Sequence, residues 1–170
     1  MRLFLGLPFE EQAKDRFARV QGELKKLAGK GNFTARDNFH LTLFFLGEMD
    51  TGQADAAKAA LMAAHIAPLT LTFDRLSLFP GGIYHLSPEF EPDLYAAQLR
   101  LVRALRREGF DIEDRLFTPH VTLGRKVRLA YDVDPTGPLQ RPIPARTGYG
   151  TLFLSHRVAG ELTYTPLFPT

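Results

Sequence analysis

The 170-residue sequence contains no cysteine. That excludes disulfides and thiolate metal sites and fits a reducing, cytoplasmic compartment. No apolar run approaches the ~20 residues of a membrane span. The start, MRLFLGLPFEEQAKDRF, turns charged too soon for a signal peptide, so no membrane association is expected. No glycine-rich loop follows a strand-like run, which removes the Rossmann and P-loop readings. No G-x-S-x-G occurs, which removes the nucleophile elbow of a serine hydrolase. Excess charge of one sign is missing too, since the formal net charge is only +2. What remains is ordinary for a globular chain, with 45% hydrophobic and 24% charged residues. The length suits one sizeable core or two small lobes. The bases are mostly arginine, 15 of 21, whose planar fork suits phosphate. Arg100, Arg103, Arg106 and Arg107 crowd one stretch and read as a solvated helix face.

Histidine is scarce, with five in the chain, yet two of them open the same pattern. HLTLFFLG begins at His40 and HVTLGR begins at His120, a separation close to half the chain. Two such His-x-Thr-Leu tetrapeptides among five histidines would arise in roughly one shuffled sequence in a thousand. An internal duplication is the natural reading.

Periodicity supplies the frame. Residues 2–7 read as a buried strand, with Pro8 expected in the first turn of a following helix. Ala13, Phe17, Val20, Leu24 and Leu27 form one helical stripe, stopped by Gly29 and Gly31. FHLTLFFL is β-rich. Asp50-Thr51 can cap a second helix with Ala54, Ala57, Leu61 and Ala64 on one face. Residues 69–79 and IYHLS, joined by PGG, read as a hairpin. Pro92 opens a third helix, with Leu94, Ala97, Leu101 and Leu105 inward, and Gly109 ends it. HVTLGRKV is a strand, the proline-bearing stretch 132–144 a loop, and YGTLFLSHRV with ELTYTPLF a closing hairpin. The expectation is an α+β protein of two similar lobes, each a mainly antiparallel sheet with helices on one side. The free sheet faces would then meet across a cleft.

In a strand, residues two apart share a face. His40 and Thr42 therefore face one way and Leu41 and Leu43 the other; His120 and Thr122 likewise oppose Val121 and Leu123. With the leucine faces on the helices, pseudo-symmetry lets the His/Thr faces look at each other. Two imidazoles and two hydroxyls suit a phosphodiester: one neutral imidazole takes a proton from water, and one imidazolium gives a proton to the departing alkoxide. The hydroxyls can donate to non-bridging oxygens, and Arg125 can neutralise charge there. Strict alternation puts Arg125 on the wrong face, but Gly124 can mark a bulge. A zinc site would need three or four ligands, and neither motif offers a carboxylate in register. His65 near a helix end and His156 in a hairpin read as surface residues.

These motifs, with MRLFLGLPFEE, ARDNFHLTLFFLGE, GFDIEDRLFTPHVTLGR and ELTYTPLFPT around them, resemble the two-histidine phosphoesterases. Among these, they resemble the bacterial and archaeal RNA 2′,3′-cyclic phosphodiesterases, also called 2′-5′ RNA ligases. The resemblance covers nearly the whole chain. It implies one bilobal, pseudo-two-fold domain over residues 1–170. It also implies hydrolysis of a terminal 2′,3′-cyclic phosphate to a 2′-phosphate, without metal or nucleotide cofactor. His40 and His120 would be catalytic, with Thr42, Thr122 and Arg125 on the phosphate. Because the 3′ oxygen departs, His40 is assigned as acid and His120 as base, a choice that pseudo-symmetry leaves nearly degenerate. The implied partner is RNA ending in a cyclic phosphate, such as tRNA fragments, or a small cyclic nucleotide; a monomer is expected. Such enzymes often carry Lys where this chain has Phe44, which shares the His40/Thr42 face by alternation, and an aromatic residue where it has His85. Phe44, His85, Phe117 and Tyr164 are the expected base or ribose contacts.

Overall fold

The computed structural model describes residues 1–130, 134 and 136–169. Among the described residues, nine strands and three α-helices follow one another as β1 (Arg2–Pro8), α1 (Glu11–Leu27), β2 (Ala28–Phe33), β3 (His40–Glu48), α2 (Thr51–Ala64), β4 (Thr70–Phe79), β5 (Ile83–Pro88), α3 (Pro92–Arg107), β6 (Val121–Leu129), β7 (Ile143–Arg146), β8 (Thr151–Val158) and β9 (Glu161–Phe168). They make a four-stranded sheet, β3-β1-β8-β9, and a five-stranded sheet, β2-β6-β5-β4-β7. Every pairing is antiparallel. This is the expected α+β bilobal architecture. α1 lies against β2, β6 and β7; α2 and α3 pack on each other and on the four-stranded sheet. The two motif strands, β3 and β6, approach each other between the sheets. Among the described residues no helix is long and apolar enough to cross a membrane.

Local chemistry explains the helices. In α1 the stripe Ala13, Phe17, Val20 and Leu24 is buried, and Phe17 meets the rings of Phe9, Phe39 and Phe73 edge-on at 5.0, 5.9 and 5.1 Å. α2 starts on a capping box: the Gln53 amide donates to Asp50 Oδ1 at 2.8 Å, and the Asp50 amide donates to Gln53 Oε1 at 3.0 Å. α3 opens on Pro92 and buries Leu94, Ala97, Leu101 and Leu105.

Two local expectations are corrected. Pro8 ends β1 opposite His40 rather than entering a helix; its missing N–H is tolerated at a strand end. α1 ends at Leu27, before Gly29 and Gly31 as expected, and both glycines then belong to β2, which pairs with β6. At Gly31 a Cβ would meet Val127 Cγ2 at 2.9 Å, so glycine there reflects close approach. The stretch 132–144 is not all loop: Ile143 and Pro144 begin β7, on β4. As an edge strand it accommodates Pro144, whose side needs no ladder donor. Residues 132, 133 and 135 of that stretch lie outside the described residues.

Candidate active site

Each His-x-Thr-Leu segment is followed by a break in register at the same place. On β3, Thr42 lies opposite Gly6 and Phe44 opposite Leu5, so Leu43 is an extra residue. On β6, Thr122 lies opposite His85 and Gly124 opposite Tyr84, so Leu123 is extra. These β-bulges reset the alternation. Leu43 and Leu123 stay buried with Leu41 and Val121, and the residue five beyond each histidine returns to the cleft: Phe45 on β3 and Arg125 on β6. Gly124 takes the inward place, where a Cβ would meet Val127 Cγ2 at 2.9 Å and Phe33 Cδ1 at 3.0 Å.

Two glutamines hold the bulges from the helices. Gln21 of α1 donates through Nε2 to Leu123 O at 2.8 Å and to Thr34 O at 2.7 Å. Gln98 of α3 donates through Nε2 to Leu43 O at 3.4 Å. The same side-chain type thus meets the same carbonyl in both lobes. Sequence reasoning passed over both, although Gln21 is a polar residue between Val20 and Leu24 on the buried side of α1, which is itself a signal that it has a partner.

The histidines are held by one device. His40 Nδ1 lies 2.7 Å from Asn38 O, and His120 Nδ1 lies 2.8 Å from Thr118 O. Each Nδ1–H donates to the carbonyl two residues before it, which leaves Nε2 as the unprotonated nitrogen of the neutral ring. The Thr42 hydroxyl lies 3.0 Å from His40 Nε2 and donates to it while the ring is neutral. Asn38 is itself tied to β9, donating through Nδ2 to Leu162 O at 2.8 Å and accepting from the Tyr164 amide at 3.3 Å.

The two rings sit in different surroundings. His40 is packed by Phe4 at 4.7 Å and, edge-on, by Tyr164 at 5.0 Å. Burial pushes its pKa down to about 4, against the Asn38 carbonyl and with the charges of His120 and Arg125. His120 is also pushed down by burial, the Thr118 carbonyl opposing and Arg125 adding. Its neighbours are the rings of Phe79 at 5.1 Å and His85 at 5.3 Å. Burial raises Tyr164.

The cleft between the sheets, about 620 Å³, gathers His40, Thr42, His120, Thr122, Arg125 and Tyr164. Three expected contacts are not on its wall. Phe44 packs against the core because the Leu43 bulge turns it inward. His85 is 2% exposed, stacked on Phe79 at 3.7 Å behind His120. Phe117 packs on the core and against the Tyr95 ring at 5.4 Å. Strict alternation misses the bulges, and β1 and β8 supply lining residues that no spacing near the motifs announces: Arg2, Ser155, His156 and Arg157. His156, read as surface, lines the cleft with Nε2 2.7 Å from Thr165 Oγ1. Among the described residues, no group of three or more His, Asp or Glu has the arrangement to hold a metal ion.

This architecture has relatives. A family model, the LigT-like phosphoesterases, matches residues 7–84. An RNA 2′,3′-cyclic phosphodiesterase of Thermotoga maritima is 28% identical over 136 residues, 74% of this chain and 70% of that protein. One of Bacillus subtilis is 30% identical over 95 residues, 52% of each chain. The crystal structure of E. coli LigT complexed with 3′-AMP superposes with a TM-score of 0.76 at 26% identity, covering 98% of this chain and 94% of that one.

Proposed function

We propose that this chain, related in sequence and fold to the LigT-like phosphoesterases, hydrolyses RNA 2′,3′-cyclic phosphate ends to 2′-phosphates by metal-independent acid/base catalysis. One observation carries the reading. Two imidazoles, each held through Nδ1 by the carbonyl two residues back, border one cleft with a threonine beside each and Arg125 between the sheets. The related proteins named for RNA 2′,3′-cyclic phosphodiesterase activity support the substrate class, and the 3′-AMP complex of the LigT neighbour supports a nucleotide ligand. The working unit is one bilobal domain over residues 1–170, acting as a cytoplasmic monomer.

The chemistry follows from the surroundings of the two rings. His120 Nε2 takes the proton of the attacking water. The His40 imidazolium, enclosed by Phe4 and Tyr164, gives its Nε2 proton to the 3′ oxygen as the P–O bond breaks. A phosphodiester anion favours that charged ring in a site where water is scarce. Protonation of His40 also turns its Nε2 from acceptor into donor and frees the Thr42 hydroxyl proton for a non-bridging oxygen. Thr122 and Arg125 stabilise the same oxygens from β6. The same steps with a 5′-hydroxyl as nucleophile in place of water would form a 2′-5′ linkage, a secondary activity.

The test is an RNA oligonucleotide ending in a 2′,3′-cyclic phosphate, assayed in EDTA. Conversion to the 2′-phosphate is expected, with His40→Ala and His120→Ala each losing at least ~100-fold in kcat. Turnover of cyclic mononucleotides alone would move the substrate to small nucleotides. Tight RNA binding with no turnover would make the chain a binding module and refute the catalytic reading.

A further inference from the structure

The two lobes pair their motif strands alike but differ in what stands opposite each threonine. On β1, Gly6 lies opposite Thr42; on β5, His85 lies opposite Thr122. The histidines differ in step with this. The Thr42 hydroxyl lies 3.0 Å from His40 Nε2, whereas His120 bonds through Nδ1 and, among the described residues, Thr122 makes no bond to it. A chain built on one repeated motif thus holds one imidazole capped by its threonine and one uncapped.

Gly6 leaves no room for a wedge. A Cβ there would meet Leu41 O at 2.9 Å and Phe4 Cε2 at 3.5 Å. His85 is the opposite case. Its ring is buried, stacked on Phe79 at 3.7 Å, and it meets the His120 ring at 5.3 Å and an angle of 69°. Phe79 meets His120 edge-on at 5.1 Å. Two rings, from β4 and β5, therefore bank against the His120 imidazole, with His85 set directly across from Thr122. The consequence is chemical. Neutral His120 carries its proton on Nδ1, against Thr118 O, so its Nε2 lone pair must be open to receive one from water. A hydroxyl donating to that lone pair would have to leave first. His40 acts as an imidazolium, which has no lone pair to cap, so the Thr42 bond is lost on protonation and does not obstruct it.

We propose that His85 is a positioning residue for the base: filling the place across from Thr122, it holds the His120 ring off the Thr122 hydroxyl, which leaves Nε2 open to water and the hydroxyl open to the phosphate. Gly6 supplies no such wedge to the first lobe. Two nearly equivalent histidines are thereby told apart by a residue outside both motifs. This rests on the phosphodiesterase reading above and adds to it the residue that sets which lobe holds the base.

The experiment follows the His120 ring by NMR through a pH titration, alongside kcat on the cyclic-phosphate RNA, in wild type, His85→Ala, His85→Phe and the double variant His85→Ala with Thr122→Val. Without the wedge, Thr122 caps Nε2 and stabilises the neutral ring, so the His120 midpoint should fall in His85→Ala. Simple loss of packing would raise it, since burial is what depresses it. Loss of the neighbouring imidazole would raise it too, since the two rings repel when charged. The other groups facing the pair are Ser77 and Phe79 of β4, Thr122 and Arg125 of β6, and His40 across the cleft; of these the charged and titratable ones, Arg125 and His40, are kept in all four proteins. In His85→Ala, kcat should drop about 5- to 10-fold, the cost of breaking one neutral hydrogen bond before the proton moves, with KM little changed. His85→Phe keeps a ring in place and should hold both midpoint and kcat near wild type. Thr122→Val in the His85→Ala background removes the cap and should bring the midpoint back up. If His85→Ala does not fold, His85→Val, suited to a strand but lacking the ring, takes its place. A midpoint that rises or stays put in the ringless variant, or that Thr122→Val does not restore, overturns the positioning role; so does an equal loss of kcat in His85→Phe and His85→Ala. The titration needs no turnover, so a wild type that leaves the RNA end intact would end the phosphodiesterase reading and leave the wedge to be decided by the midpoints.

Discussion

His40 should make the fold acid-sensitive, by an amount that follows from its burial. In the unfolded chain a histidine takes up its proton near 6.5; in the folded protein burial holds His40 down to about 4. Between those values the unfolded state binds more protons, so stability falls as pH falls through the window. The contribution is fully present above 6.5 and is lost as pH drops to 4. The difference of about 2.5 pH units corresponds to about 3 kcal/mol at 1.36 kcal/mol per unit. For a chain of this size that is about 6–12 °C in Tm. His85 and His120 are depressed as well, and carboxylates add their own acid sensitivity, so the quantity to measure is a difference. His40→Asn removes the titrating ring while keeping an amide that can donate to Asn38 O. Thermal or urea unfolding of both proteins, followed by circular dichroism at pH 7 and pH 4, should show wild type losing about 3 kcal/mol more than the variant. Parallel losses in the two proteins would mean that His40 titrates in the folded state as it does in water, and that its enclosure by Phe4 and Tyr164 is open to solvent.

Because kcat/KM reports the free protein and needs one imidazole neutral and one protonated, it should follow a bell whose two limbs both lie below 6.5, falling about tenfold per pH unit above neutrality. A plateau extending to pH 8 would contradict the lowered values, and the limbs belong to the pair rather than to single residues. Thr42→Val and Thr122→Val keep the branched shape, and each should cost ~100-fold or more in kcat if the hydroxyls act on the phosphate; full activity in both would make them structural. Gln21→Leu leaves the carbonyls of Thr34 and Leu123 short of a buried donor and should cost about 1–3 kcal/mol in denaturant unfolding. As a positioning change it should also raise KM through Arg125 while leaving the pH bell in place, and Gln21→Glu, assayed at low pH where it carries a proton, should restore part of it. A substrate with a 3′-thiolate leaving group should rescue His40→Ala and not His120→Ala; the reverse pattern exchanges acid and base.

Much of the chemistry was legible in the chain because it is carried by identity and short-range spacing. Two His-x-Thr-Leu segments on β-rich runs put imidazole and hydroxyl on one side of a strand and leucine on the other, and that is how His40, Thr42, His120 and Thr122 stand. The helix stripes of α1, α2 and α3 were equally plain, since a 3.6-residue period is a property of sequence alone. Only the tertiary structure decided the rest. A bulge is set by how a strand pairs with its neighbour, so no local pattern distinguishes Phe44 from Phe45; pairing with β1 sends the first to the core and the second to the cleft. β2 and β7 are short, glycine- or proline-bearing segments whose strand character comes from partners far along the chain, β6 and β4. The depressed pKa of His40 depends on Phe4, Phe153 and Tyr164, three residues from three other strands. Residue type determined which reactions the protein has the groups for; packing between distant strands determined which groups face each other and how much water reaches them.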